Sequence, residues 1–124
     1  MISTILILFT YFLVIWVNTE YNIGNGLNIN DGKFKAPVDG IYYFYSHSWS
    51  CSKQSALVQF YVNGSLKSYS YRAEDAQYDV ITLSSQFKLN KGDTVCVRFN
   101  GRFDNPTHSP RTFFEGHLIS HLHS

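Results

Sequence analysis

The segment from Asp31 to Phe44, which reads DGKFKAPVDGIYYF, constrains the fold more than any other part of the chain. Two runs rich in aromatic and β-branched residues, which suit strands, flank a group of turn-forming residues. Pro37 cannot donate a hydrogen bond to a strand ladder, and Gly40 tolerates backbone angles that other residues avoid. The chain must therefore leave one strand and enter the next within about five residues, as it does in all-β barrels and sandwiches.

The rest of the chain also predicts strands rather than helices. No stretch of helical length shows helical amphipathicity, and turn-forming clusters recur about every 8 to 12 residues. Strands are predicted near the segments Trp16 to Tyr21, Lys33 to Lys35, Ile41 to Ser50, Leu57 to Val62, Ser65 to Arg72, Tyr78 to Leu89, Thr94 to Asn100 and Thr112 to Ser120. Residues 101–110 contain two prolines and are predicted to form a loop.

Two tight turns set the expected strand order. Asn63-Gly64 is the strongest short-range signal for a type I′ hairpin, so the strands on either side are expected to be antiparallel neighbours. Residues 90–93 form a second turn between two strands with alternating apolar residues. We expect these alternating positions to share one buried face: Ile81, Leu83, Ser85, Phe87, Leu89, Val95, Val97 and Phe99.

Composition narrows the range of functions. At 124 residues, the chain is expected to form one domain around one core. Ten lysines and arginines stand against nine acidic residues, so the overall charge does not favour a nucleic-acid partner. Aromatic residues make up 17% of the chain, which suggests that some rings lie in a subunit or ligand interface. The alternative is that all of them lie in the core.

The N-terminal residues form an apolar run with two interpretations. Ile2 to Val17 carries no charge and is shorter than a membrane span of about 20 residues, so no membrane span is predicted. We predict a secretory signal peptide over residues 1–19, although its basic n-region and Ala-x-Ala site are missing. The folded domain is then expected over residues 20–124. The alternative is that residues 1–19 stay attached and supply a divergent first strand.

Three blocks of residues, in the expected order, resemble the complement C1q globular-head family. The first block contains Asn22, Gly24, Leu27, Asn28, Asp31, Gly32, Phe34, Pro37, Gly40, Tyr42 and Phe44. The second contains Leu83, Leu89, Gly92, Asp93 and Val95, and the third contains Phe114, Gly116, Leu118 and Ile119. Leu27, Asp31 and Glu115 depart from the residues usual in that family.

This resemblance implies an all-β jelly-roll sandwich of ten strands, like that of tumour necrosis factor. Such domains normally assemble as trimers, so the expected partners are copies of this chain or related C1q-domain chains. A family head begins well before Asn22, so cleavage after Thr19 would leave a domain that lacks part of its first strand.

The resemblance also bears on the two cysteines. In the family's jelly roll, the strand from Ile41 to Ser50 runs antiparallel beside the strand from Thr94 to Asn100. In a secreted protein, this arrangement predicts a disulfide between Cys51 and Cys96. Two free, buried thiols are the alternative.

Two polar motifs can each be explained by a function or by the structure alone. Asn63-Gly64-Ser65 is an N-glycosylation acceptor, and we predict a glycan on Asn63, although a tight turn alone explains the Asn-Gly pair. His117, His121 and His123 would lie on one face of a continued last strand, where histidines can bind a divalent metal. Solvated histidines near a fraying terminus are favoured, so no metal site is predicted.

No cofactor and no catalytic activity are predicted. Glu74, Asp75 and Asp79 could join a calcium site of the kind that some family members have, but they lack the spacing of a calcium-binding loop. The sequence contains no Gly-x-Ser-x-Gly elbow, no His-Glu-x-x-His motif, no phosphate loop and no dinucleotide fingerprint. These absences favour a binding protein over an enzyme.

The function that the resemblance implies is recognition outside the cell. We predict a secreted, trimeric, lectin-like protein that binds carbohydrate, microbial or protein ligands in an innate-immune type of role. The alternatives are an extracellular receptor ligand of the cytokine or synaptic-organiser type and a structural extracellular component.

The candidate binding residues fall into two groups. Ligand contacts are predicted in two polar loops that contain Arg72, Glu74, Asp75, Arg102, Asp104, Asn105, His108 and Arg111. Trimer contacts are predicted for Tyr43, Tyr45, Trp49 and Tyr61. The reason is that the strand from Ile41 to Trp49 carries aromatic residues on both faces, whereas a half-buried strand needs only one.

Overall fold

The computed structural model describes residues 8–13, 17–23, 26–28, 32–50, 56–72, 79–100 and 113–122. These residues form ten β-strands. The strands are β1 (Leu8–Leu13), β2 (Val17–Ile23), β3 (Leu27–Asn28), β4 (Lys33–Lys35), β5 (Gly40–Ser50), β6 (Ala56–Val62), β7 (Ser65–Arg72), β8 (Asp79–Leu89), β9 (Thr94–Asn100) and β10 (Phe113–His121). The predicted strands are confirmed to within a few residues, and β1 and β3 are additional.

Two five-stranded antiparallel sheets pack face to face. Sheet I has the order β2-β1-β10-β5-β8, and sheet II has the order β3-β4-β9-β6-β7. The chain passes from one sheet to the other after β2, β4, β5, β7, β8 and β9, which is how a jelly roll places consecutive strands on opposite sides of one core. The expected all-β jelly-roll sandwich is therefore confirmed. Within the described residues, no helix is long and apolar enough to cross a membrane.

An aromatic cluster fills the space between the sheets. On β5, residues 42, 44, 46 and 48 are buried and alternate with partly exposed neighbours, as the period of two in a strand requires. Phe44 lies at the centre, with ring centroids 5.3 Å from Phe34 in sheet II and 5.9 Å from Phe114 in sheet I. Edge-to-face and stacked aromatic pairs of this kind add to the stabilisation that burial alone provides.

The turn within the Asp31–Phe44 segment is held by its own side chains. The buried hydroxyl of Tyr42 donates a 2.8 Å hydrogen bond to the carbonyl oxygen of Val38. Asp39 accepts a 2.6 Å hydrogen bond from the backbone amide of Lys91, which ties this turn to the turn between β8 and β9. Gly40 is required where β5 begins, because a Cβ atom there would lie 2.6 Å from the Leu118 side chain and 2.7 Å from the Ser120 carbonyl oxygen.

The predicted hairpin at Asn63-Gly64 is confirmed. Asn63 has a φ of 51° and Gly64 a φ of 83°, and both central residues of a type I′ turn need positive φ. The side chain of Asn63 also binds the neighbouring turn. Its Oδ1 accepts a 2.9 Å hydrogen bond from the Thr94 amide, and its Nδ2 donates a 3.1 Å bond to Asp93.

The second predicted turn joins strands that belong to different sheets. Ile81, Leu83 and Leu89 of β8 and Val95 of β9 are buried in one core, as expected. They approach that core from opposite sides, because β8 is the edge strand of sheet I and β9 lies inside sheet II.

The expected neighbours of β5 were wrong. β5 pairs with β10 and β8 in sheet I, whereas β9 pairs with β4 and β6 in sheet II. The two strands therefore lie in different sheets instead of side by side. Cys96 is partly buried on β9 opposite Tyr61, and Cys51 lies outside the described residues. The Cys51–Cys96 disulfide stays a prediction.

The N-terminal apolar run contributes a strand to sheet I. The backbone of Leu8–Leu13 pairs with β10 on one side and with β2 on the other. This arrangement agrees with the alternative in which residues 1–19 supply the first strand. Cleavage after Thr19 would remove β1 and expose the edge of β10. The signal peptide over residues 1–19 stays a prediction.

Candidate self-association surface

The outward surface of sheet I carries a continuous set of aromatic rings. The residues of β5 that alternate with its buried positions point away from the core. On β10, Phe113, Glu115 and His117 alternate with the buried positions 114 and 116 and do the same. We define the aromatic face as Tyr43, Tyr45, His47, Phe113 and His117. The register of the two strands brings them together, because His47 lies opposite Phe113 and Tyr43 lies opposite His117.

The rings of the aromatic face pack on one another. His47 and Phe113 are stacked with centroids 5.2 Å apart and an interplanar angle of 7°. Tyr45 lies 5.8 Å from Phe113, and Tyr43 lies 5.3 Å from His117. Side chains held in this way lose less rotamer freedom when a partner covers them, which lowers the entropic cost of association.

The charge on this face is low but not absent. Glu115 lies between Phe113 and His117 on β10 and opposite Tyr45 on β5. Burial raises the pKa of the Tyr45 hydroxyl above its ordinary value, and the neighbouring Tyr43 and Glu115 raise it further. Tyr45 is therefore neutral at physiological pH, as a ring in an apolar contact should be.

A polar border lies beside the aromatic face. The outward positions of the edge strand β8 are exposed and form one row next to β5: Thr82, Ser84, Gln86 and Lys88. On the other side of β10, the backbone of β1 places Thr10 opposite Glu115 and Phe12 opposite Phe113. An aromatic centre beside a polar border is the arrangement found in protein–protein interfaces.

The four residues predicted for the trimer interface do not share one surface. Tyr43 and Tyr45 lie together on the aromatic face, and Trp49 continues the same strand, with a side chain outside the described part. Tyr61 lies in sheet II, where the Arg98 guanidinium is 4.1 Å from its ring centroid. Sequence reasoning missed the contributions of His47 and Phe113. The alternation of β5 includes His47, but nothing local in the sequence gives the register that brings Phe113 against it.

The predicted ligand-binding loops remain predictions. Arg72 is the last residue of β7, and only its backbone is described. The other candidates lie outside the described residues: Glu74, Asp75, Arg102, Asp104, Asn105, His108 and Arg111.

Two further candidates from the sequence concern a metal ion and a glycan. Among the described residues, no three histidine, cysteine or acidic side chains are grouped so that they could hold a metal ion. Asn63 is exposed at the hairpin tip, where its amide makes the hydrogen bonds to Asp93 and Thr94. Glycosylation at this position is untested.

Comparison with known proteins decides the family. The sequence model of the C1q domain matches residues 8–119. The chain belongs to the C1q domain family. The match begins at the first residue of β1 and ends within β10, so it covers nearly the whole sandwich.

Two curated relatives of this C1q domain are both named complement C1q tumor necrosis factor-related protein 3. The mouse (Mus musculus) and human (Homo sapiens) proteins are each 31% identical to this chain over 112 residues, which is 86% of the chain. The alignment covers 44% of the length of each relative, so the chain spans less than half of the proteins that it matches.

A solved structure supports the fold independently. The globular domain of the zebrafish complement 1qA protein superposes with a TM-score of 0.71, and the match covers 94% of this chain and 98% of that domain. The sequence identity is 18%, so this similarity establishes the shared jelly roll and nothing about ligands.

Proposed function

We propose that this chain is a secreted C1q-domain binding protein that assembles as a homotrimer, or with related C1q-domain chains, through the aromatic face of sheet I. The observation that carries the proposal is the set of mutually packed rings on the outward surface of β5 and β10. A monomer gains little from ordering five rings on a solvent-facing surface, whereas aromatic residues are enriched at the centres of interfaces.

In this proposal, assembly leaves the predicted polar loops for ligand recognition. Arginine pairs with carboxylates, and Asp, Asn and His side chains hydrogen-bond sugar hydroxyls, so the loops suit carbohydrate, microbial or protein ligands. Several copies of a weak site in one assembly would increase the apparent affinity without any new contact.

Sedimentation velocity tests the assembly. The secreted wild-type protein is expected to sediment with about three times the mass that mass spectrometry gives for its single chain. Tyr43→Glu should shift the protein to monomers, because association would bury a carboxylate that has lost its water. The fold should persist, since position 43 lies opposite His117 and Gln86, neither of which is acidic.

The matched control is Tyr71→Glu in sheet II. Tyr71 is 60% exposed, so this variant adds the same charge outside the aromatic face and should keep the wild-type mass. A wild-type monomer at micromolar concentrations would refute the trimer. Dissociation by Tyr71→Glu with an intact Tyr43→Glu assembly would place the interface on the other sheet.

A second candidate is an extracellular receptor ligand of the cytokine type. It is favoured by the name of the relatives, which links a C1q domain to tumour necrosis factor. A glycan array separates the two candidates. Loss of glycan binding in Arg102→Ala and Arg111→Ala supports recognition by the loops. Tight binding to a cell-surface protein without any glycan signal supports the receptor ligand.

A further inference from the structure

The two sheets differ in charge although the chain as a whole carries a formal charge of only +1. The strands of sheet II contain five basic residues and no acidic residue: Lys33, Lys35, Lys67, Arg72 and Arg98. The strands of sheet I contain one lysine against three acidic residues: Lys88, Glu20, Asp79 and Glu115. The jelly-roll topology therefore concentrates positive charge on one side of the sandwich.

The strand pairing aligns part of this charge into a track. Lys33 and Lys35 are both exposed on β4, because the buried Phe34 between them points into the core. They lie about 7 Å apart along the strand. Lys35 pairs with Thr94 of β9, and the exposed Arg98 lies further along that strand. Two acidic side chains, Asp39 and Asp93, lie in the nearby turns at the end of the sandwich. They accept hydrogen bonds from the backbone amides of Lys91 and Asn90, respectively.

Exposed tyrosines lie on the same sheet as Lys33, Lys35 and Arg98. Tyr69 and Tyr71 of β7 are 63% and 60% exposed, which is unusual for large rings on a sheet. Tyr61 holds the Arg98 guanidinium over its ring at 4.1 Å, so the charge is fixed above the surface. We call the combined surface of Lys33, Lys35, Gln59, Tyr61, Tyr69, Tyr71 and Arg98 the cationic tyrosine face.

A polar side chain lies at the centre of this surface. Gln59 is only 8% exposed although both of its neighbours on β6 point into the core. Its register partners are Arg98 on one side and Tyr69 on the other. With adjacent strands about 4.8 Å apart, Arg98 and Tyr69 lie about 10 Å from each other across Gln59. A cation, an amide and an exposed ring thus lie in one row.

We propose that the cationic tyrosine face binds an acidic polysaccharide. The sulfate or carboxylate groups of the polymer pair with Lys33, Lys35 and Arg98. The apolar faces of its sugar rings pack on the exposed rings of Tyr69 and Tyr71. A flat, open sheet surface suits an extended polymer better than a small ligand, which needs a concave pocket.

This inference rests on the proposed extracellular binding role and names a site separate from the polar loops. The face lies on the opposite side of the sandwich from the aromatic face, so assembly through sheet I leaves it open. Each assembly would present several copies, and a long polymer could engage more than one at once.

Biolayer interferometry of the full chain on immobilised heparin tests the proposal over a series of salt concentrations. The logarithm of the binding constant is expected to fall linearly with the logarithm of the salt concentration, because the cationic side chains displace counterions from the polymer. Arg98→Gln should weaken binding about tenfold and lower that slope by about one. Tyr69→Ala should weaken binding and leave the slope unchanged, since it removes stacking and no charge. Lys88→Gln, which removes the lysine of sheet I, should change neither.

Four further probes define the class of ligand. Hyaluronan, which carries carboxylates without sulfates, distinguishes the two acid groups, and binding to either acidic polysaccharide supports the site. Neutral dextran should not bind, because it carries no acid group that could pair with the cations. Polyglutamate and single-stranded DNA should bind more weakly than heparin at equal charge.

Several results would overturn the inference. Equal binding of polyglutamate or DNA would indicate non-specific attraction of polyanions, and absence of heparin binding would exclude the site. Sensitivity to Arg102→Ala with insensitivity to Arg98→Gln would place binding in the loops. Heparin binding by a monomeric wild-type protein would sustain the inference while the proposed trimer fails, so the two failures are distinguishable.

Discussion

Two serines on the inner side of β5 give the sharpest test of the core. Ser46 and Ser48 are both fully buried. The Ser48 hydroxyl donates a 2.9 Å hydrogen bond to the carbonyl oxygen of Ile81 on β8. The Ser46 hydroxyl has no hydrogen-bond partner among the described residues. The same substitution at these two positions should therefore change the stability in opposite directions.

The magnitudes follow from the cost of burying a hydroxyl group. An unsatisfied buried polar group costs about 1–3 kcal/mol, so Ser46→Ala should raise the free energy of unfolding by about 1 kcal/mol. Ser48→Ala removes a buried hydrogen bond and leaves the Ile81 carbonyl oxygen without that donor, so it should lower the free energy by about 1 kcal/mol. The two variants should thus differ by about 2 kcal/mol.

Thermal unfolding followed by circular dichroism measures the difference. For a domain of this size, 1 kcal/mol corresponds to a shift in Tm of about 4 °C, so the two Tm values should lie about 8 °C apart. The protein concentration must be equal in all samples, because assembly makes the Tm depend on it. Equal losses of stability in both variants would refute the reasoning, since they would mean that the Ser46 hydroxyl also has a partner.

Three further predictions concern the turns and β5. Tyr42→Phe removes the hydrogen bond to Val38 and should cost about 1–2 kcal/mol in urea unfolding. Burial is the main reason that the pKa of Tyr42 is raised above its ordinary value of 10.0, so its contribution is present below pH 10 and lost as the pH rises above that value. The stability difference between wild type and Tyr42→Phe should therefore shrink at alkaline pH, and a constant difference would contradict this account. Gly40→Ala should cost about 1–3 kcal/mol, because its Cβ meets the Ser120 carbonyl oxygen, whereas Lys88→Ala on the exposed side of β8 should stay within about 0.5 kcal/mol. Asn63→Gly keeps the positive φ but loses the bonds to Asp93 and Thr94, and Asn63→Ala adds about 1 kcal/mol of backbone strain to that loss. Chemical unfolding of protein made without glycosylation measures the stability of the two Asn63 variants. Equal stability of Asn63→Gly and wild type would exclude a structural role for the side-chain amide of Asn63.

Local sequence signals predicted the parts of the fold that depend on local chemistry. Asn63-Gly64 predicted its hairpin, because a type I′ turn needs residues that tolerate positive φ. The aromatic residues on both faces of the strand from Ile41 to Trp49 indicated that one of these faces lies outside the core, and Tyr43 and Tyr45 lie on that outer face. These signals depend on neighbouring residues alone.

The pairing of strands that are distant in the sequence could not be predicted from local signals. An uncharged apolar run has the same composition in a leader and in a strand paired on both sides, so composition alone does not give the pairing of β1 with β10 and β2. The assignment of β5 and β9 to different sheets, and the contact of His47 with Phe113, depend on register between distant segments. The positive charge of sheet II likewise becomes visible only when the strands that carry it are brought together.

Hydroxyl-radical footprinting of the side chains tests the central claim most directly. The assembled protein and a dilute, dissociated sample would be oxidised under the same conditions and compared residue by residue. Assembly through the aromatic face should protect Tyr43, Tyr45 and Phe113 and leave Tyr69 and Tyr71 as reactive as before. Protection of Tyr69 and Tyr71 with unchanged reactivity of the aromatic face would contradict the account.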